Sequence, residues 1–172
     1  MKTTFLLLLT FLSTNYIFSQ SDTSIQATED TLAPYQKTSF IPTFSLLTPD
    51  NTWFSKIHLK DEVATLILYF SPDCGHCKIE TQELLGKMNE LKKLQIVMVT
   101  SRPFQDMVDF SNYFKISRFP TIKIGSDPAM LITSFYDVKS TPFSALYDKK
   151  GRLIKVYKKG IDFTELIKIL NN

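Results

Sequence analysis

The chain has 172 residues, yet only two cysteines, two histidines, five glycines and one tryptophan, and each scarcity closes off a class of function. A metal centre built on Cys74 and Cys77 needs two further ligands. The only histidine outside the loop between them is His58, and there is no second cysteine pair, so structural zinc is not expected. Nor can two cysteines separated by two residues staple a fold, because the loop they close is too short to restrain an unfolded chain. No block of like charge and no internal repeat is visible, and a formal net charge of +3 is too small to argue for a nucleic-acid partner. The apolar stretch Phe5–Phe18 is shorter than the roughly 20 residues that cross a bilayer.

What the N-terminus does contain is a short basic start at Lys2, that apolar stretch, and then polar Ser19, Gln20 and Ser21, the order found in a secretory signal. Residues 1–20 are therefore expected to be a signal peptide, with an uncleaved anchor as the alternative, and the chain to be exported to the periplasm. No cysteine lies near the cleavage region to accept a lipid. Residues 21–39 are polar and aperiodic and are expected to be a flexible linker. Residues 40–172 are expected to be the folded domain, and 44% apolar residues over the chain suffice for its core.

The domain is organised around Phe70–Glu83, FSPDCGHCKIETQE, which holds both cysteines. The run before it, Val63–Phe70, is apolar at nearly every position, as in a strand buried on both faces. After it Cys77, Thr81, Leu84, Leu85, Met88 and Leu91 recur at helical spacing. A leading hairpin is expected from Phe44–Leu47 and Thr52–Leu59, a buried strand at Gln95–Thr100, a helix from Pro103 to Phe114, a strand at Thr121–Ile124 and a helix around Pro128–Phe135. The turn Asp148-Lys149-Lys150-Gly151 joins Phe143–Tyr147 to Arg152–Tyr157 as a hairpin, and Asp162 caps a last helix over Phe163–Leu170. Strands alternating with helices, with an antiparallel hairpin late in the chain, predict an α/β sandwich around a mixed sheet.

Two cysteines three apart on one helix face lie roughly 5–6 Å apart, within disulfide range, so they can join and separate without moving the backbone. Cys74 falls at the helix start, where unpaired N–H groups and the helix dipole favour a thiolate; Cys77, one turn in, is expected to be more buried. Cys74 is thus the expected attacking thiol and Cys77 the resolving one. A charged His76 favours the Cys74 thiolate, and Asp73 opposes it. Glu80, three residues after Cys77, is a candidate to take the resolving thiol's proton, with a solvated surface carboxylate as the alternative.

The buried strand, the CGHC pair followed by Glu80, and VKSTP at Val138–Pro142 followed by FSALYDKKGRLIKVYKKG resemble the thioredoxin superfamily, within it the exported thiol–disulfide oxidoreductases of the TlpA and ResA type. The resemblance covers about Phe44–Leu170. It implies a thioredoxin-like three-layer sandwich with a central mixed β-sheet and flanking helices, a cis Thr141–Pro142 bond facing the thiols, and substrate contact at Thr141 and Pro142. Read from the residues alone, Pro142 is an ordinary strand-opening proline. Departures from the thioredoxins proper are Leu68, where they carry a buried acid, and Asp73 and His76, where they carry Trp and Pro.

The expected function is disulfide exchange with protein substrates, as a reductant supplied by a membrane thiol–disulfide electron donor. The chain is expected to act as a monomer without organic cofactor, obligatory metal or nucleic acid. The glycine and histidine between the cysteines match those of protein disulfide isomerases. Between poises of roughly −270 and −180 mV, spanning reductants to isomerases, the residues do not choose. A copper-carrying thioredoxin-like protein is one rival, though it lacks a third soft ligand. A peroxiredoxin-like thiol peroxidase is another, with Ser71 in the threonine position but Ile67 where a proline belongs. The lysines of the late hairpin read as a solvated edge, and Trp53 as a packing residue. Phe70, Phe143 and Tyr147 are either core or the border of a substrate groove.

Overall fold

The computed structural model describes residues 32–171, so the expectations placed on residues 1–20 and on 21–31 lie outside the described residues. Along the chain run α1 (Pro34–Lys37), β1 (Ser45–Leu47), β2 (Trp53–Ser55), β3 (Ala64–Tyr69), α2 (Gly75–Gly86), β4 (Leu94–Thr100) and α3 (Phe104–Tyr113). They are followed by β5 (Ile122–Ser126), α4 (Leu131–Tyr136), β6 (Phe143–Tyr147), β7 (Leu153–Tyr157) and α5 (Phe163–Asn171). The strands form one seven-stranded sheet in the order β2-β1-β5-β4-β3-β6-β7. The pairs β3–β4 and β4–β5 are parallel; β1–β2, β1–β5, β3–β6 and β6–β7 are antiparallel.

The apolar run of β3 explains the layering. Leu66 and Leu68, with Phe70 just beyond the strand, join a core with Leu84 of α2, Met107 and Phe110 of α3, and Phe163 and Leu166 of α5. Ile67, pointing to the opposite face, joins Val97, Val99, Ala145 and Tyr147 beneath Ile132 and Tyr136 of α4. Helices therefore cover both faces of a mixed sheet, which is the expected three-layer sandwich.

Several local expectations are refined. The second strand of the leading hairpin stops at Ser55, because His58 Nδ1 accepts the Ser55 N–H at 3.0 Å and turns Lys56–His58 into a 3₁₀ segment. Trp53 does not pack: it lies on the edge strand with 58% of its surface exposed. The fourth helix begins at Leu131, later than expected, where the buried Asp127 carboxylate accepts the Ile132 N–H at 2.8 Å. Gly125 is required by close approach, since a Cβ there would lie 2.7 Å from Leu46 Cβ across the β1–β5 pair. Gly151 takes φ +72° in the late turn, where Asp148 Oδ1 accepts the N–H groups of Lys150 and Arg152 at 2.8 Å.

Candidate active site

The loop from β3 to α2 is set by its own residues. Ser71-Pro72-Asp73-Cys74 closes as a turn with the Cys74 N–H donating to the Ser71 carbonyl at 3.1 Å, Pro72 supplying the fixed φ. Cys74 is the N-cap of α2, and its Sγ accepts the Cys77 N–H at 3.2 Å, the place normally taken by a serine or aspartate oxygen. Both cysteines are free thiols; Cys74 is half-buried, while Cys77 is 1% exposed.

The two thiols are driven apart in acidity. Burial alone raises Cys74, but hydrogen bonds from Cys77 and Thr141 side chains and from the Cys77 and His76 main-chain N–H groups outweigh it, leaving the thiol below its ordinary 9.0. The His76 influence runs through its backbone. The Thr141 carbonyl, 3.7 Å from Cys74 Sγ, works the other way by accepting the S–H of the protonated form. Cys77 is pushed up to about 12 by burial and by the neighbouring Cys74 side chain. Alkylation by iodoacetamide at neutral pH is therefore expected at Cys74 alone. Its rate should rise with pH through an inflection below 9, read by peptide mass mapping.

Asp73 is engaged by its own partners. The Ser71 hydroxyl donates to it and Arg102 pairs with it at 3.4 Å, which together with its own backbone N–H hold its carboxyl below the usual range. Glu80, by contrast, is only 6% exposed on the buried face of α2, so the solvated-carboxylate alternative does not describe it. Burial raises its pKa above the ordinary 4.5; the Ile161 N–H, donating to Oε2 at 2.8 Å, pulls it partly back, and Glu83 adds to the rise.

The sheet brings Thr141 and Pro142 to the thiols. β6 pairs antiparallel with β3, with Phe143 opposite Tyr69, so the start of β6 meets the end of β3 where the cysteine loop begins. The Thr141–Pro142 bond is cis. An open groove of about 600 Å³ beside them is lined by His76, Ile79, Glu80, Thr141, Pro142 and the turn after β7. A second groove, of about 560 Å³, runs from Pro72 and Asp73 to Phe110 and Tyr113. Phe70 and Tyr147 are core rather than groove border, the Phe70 ring lying tilted against Phe110 at 4.5 Å between centroids. His58 is occupied with Ser55 and a stack on Phe54, and among the described residues no three His, Cys, Asp or Glu side chains converge as a metal site.

Two features were missed in the sequence. Arg102, which pairs with Asp73, follows β4, and the Gly160-Ile161 turn that holds Glu80 is separated from it by 81 positions at the Ile161 N–H contact. The only signal for the latter was a glycine after the hairpin.

No protein-family model and no curated protein matches the chain. Solved structures do. A candidate thioredoxin from Neisseria meningitidis superposes with a TM-score of 0.65 at 22% identity, over 78% of this chain and 89% of that one. A secreted Mycobacterium tuberculosis disulfide oxidoreductase homologous to Escherichia coli DsbE gives 0.62 at 17%, over 74% and 94%. A thiol peroxidase from Chromobacterium violaceum gives 0.65 at 15%, over 77% and 83%. At these identities the likeness is one of architecture, and on that ground the described residues have the thioredoxin-like fold.

Proposed function

We propose that the chain is an exported thiol–disulfide oxidoreductase that exchanges disulfides with protein substrates through Cys74 and Cys77, working as a reductant. The observation that carries the reading is the Cys74 Sγ seated at the α2 N-cap, 3.2 Å from the Cys77 N–H and 3.7 Å from the Thr141 carbonyl. A half-exposed, acidified thiol one turn before a buried one of raised pKa is a nucleophile with its resolving partner.

The Cys74 thiolate attacks one sulfur of a substrate disulfide, and the other sulfur leaves as a thiolate that takes a proton from water. The mixed disulfide lies along Thr141 and Pro142, where a substrate strand can pair with the Thr141 backbone. Cys77 then gives up its proton, with Glu80 as the acceptor, and attacks Cys74 Sγ. The second substrate thiolate is released and Cys74–Cys77 becomes a disulfide, two electrons having passed to the substrate. A membrane thiol–disulfide donor returns them. No cofactor or metal enters this cycle.

The reducing direction is supported by what stabilises Cys74. Its thiolate is favoured by neutral hydrogen-bond donors, while the nearby Arg102 is engaged with Asp73. A strong oxidant needs a much more stabilised reduced form. His76 contributes its backbone N–H. Export rests on residues 1–20 as a signal peptide and accords with the secreted M. tuberculosis oxidoreductase of the same fold. Residues 21–31 serve as linker. The stretch 32–39, expected to continue it, instead belongs to the folded unit, α1 packing Tyr35 on Tyr136 and Phe143 and the Ser39 carbonyl accepting the Leu153 N–H, so the monomeric domain begins near Leu32.

Cys77→Ser tests the reading. Incubated with a disulfide-bonded protein such as insulin, it should accumulate a covalent adduct at Cys74 that dithiothreitol releases, whereas the unmodified protein should yield free insulin chains. A variant that captures nothing while wild type also leaves insulin intact would sink the proposal. Hydrogen peroxide consuming Cys74 far faster than a free thiol would favour a peroxidase, and copper lost from Cys77→Ser without any adduct would favour a carrier.

A further inference from the structure

Glu80 is an unusual buried carboxyl. Oε2 accepts one hydrogen bond, from the Ile161 N–H at 2.8 Å, and Oε1 has no protein partner. No lysine or arginine among the described residues forms an ion pair with it. A carboxyl with a single donor and no counter-charge is sensitive to that donor, because its loss leaves two orphaned oxygens in a poorly hydrated place. The donor is fixed by the turn between β7 and α5. Gly160 there has φ +102°, and a Cβ at this position would lie 3.1 Å from Glu80 Oε2. Asp162 pins the far side of the turn, its Oδ1 accepting the Glu165 N–H at 3.0 Å as the α5 cap. A side chain at position 160 would therefore strain the backbone and press on the carboxylate oxygen that the Ile161 N–H holds.

We propose that Gly160 and Ile161 are positioning residues: their turn seats the Glu80 carboxyl and so governs removal of the proton from Cys77 in the resolving step. This rests on the proposed role of Glu80 above. Cys77 and Glu80 are both buried on the same side of α2, three residues apart, which places their Cβ atoms about 5–6 Å from each other. As the Cys77 sulfur attacks Cys74 Sγ, its proton passes to Glu80. The Cys74–substrate bond breaks as Cys74–Cys77 forms, and the substrate sulfur leaves with the electron pair. The charged groups around the carboxyl are Glu83 and His76 from α2 and Lys158, Lys159 and Asp162 from the turn. None of them donates to Glu80, leaving the Ile161 N–H as its hydrogen-bond donor within the protein.

The test follows resolution of the mixed disulfide by acid quench and mass spectrometry between pH 5 and 9. Four proteins are compared: wild type, Glu80→Gln, Gly160→Ala and the double variant. Glu80→Gln should slow resolution by on the order of 10²-fold, the lower range for a lost general base, and erase the acidic inflection. Gly160→Ala should shift that inflection, and adding it to Glu80→Gln should change nothing further. Ile161→Pro, which removes the N–H and keeps Gly160, gives a second arm if Gly160→Ala does not fold. An unchanged profile in Glu80→Gln would overturn both the role of Glu80 and this proposal. A changed profile in Glu80→Gln with an unmoved inflection in the turn variants, or turn effects that persist in the Glu80→Gln background, would overturn the positioning role alone.

Discussion

Cys74→Ser is expected to lower disulfide exchange to the uncatalysed background while leaving the fold intact. A serine hydroxyl at the α2 N-cap still accepts the Cys77 N–H, as serine does at helix starts, so the local structure has no reason to change. What disappears is the sulfur that forms the mixed disulfide. Cys77 cannot replace it: it is 1% exposed and, with a pKa pushed up to about 12, carries almost no thiolate near neutrality. Turbidity of reduced insulin is a suitable readout, with circular dichroism to verify folding. Exchange at an appreciable fraction of the wild-type rate would mean that the chemistry is elsewhere.

Phe70→Ala is expected to cost about 3–5 kcal/mol of stability, the range for emptying a large aromatic site in a core. Phe70 is 0% exposed, packs against the Phe110 ring, and belongs to the cluster that joins β3 to α2, α3 and α5. Its N–H also donates to the Val99 carbonyl at 2.9 Å, tying the end of β3 to β4. A loss of that size corresponds to a fall in Tm on the order of 10 °C, measurable by calorimetry or urea unfolding. Phe70 immediately precedes the Ser71–Cys74 turn, so exchange activity should fall before the protein unfolds globally. A loss below about 1 kcal/mol would show that the pocket collapses around the smaller side chain.

The parts legible in the sequence were those with local causes. The apolar run of β3, the cysteine spacing, the Asp148–Gly151 turn and the Asp162 cap each act within a few residues, and each stands where its pattern placed it. The resemblance to thioredoxins supplied what no local pattern could, the position of the cis Thr141–Pro142 bond. Contacts between distant segments were not legible. Burial of Glu80 depends on the turn at Gly160, and pairing of Asp73 depends on Arg102, both remote in sequence. Helix periodicity places Glu80 three residues from Cys77 but cannot tell whether α5 will cover that face. The early end of β2 at Ser55 turned on one histidine nitrogen accepting one N–H, a detail beneath hydrophobic pattern.

The reversible joining of Cys74 to Cys77 is tested most directly by a redox titration in dithiothreitol and glutathione buffers, which together span the reducing and oxidising ends, with the state of the pair read by thiol labelling and mass. A single two-electron transition is expected, losing and regaining two protons, with a midpoint near the reducing end at roughly −270 mV. Thiols that stay separate across the whole range, or a pair that closes only with a midpoint near the oxidising extreme of roughly −120 mV, would contradict it.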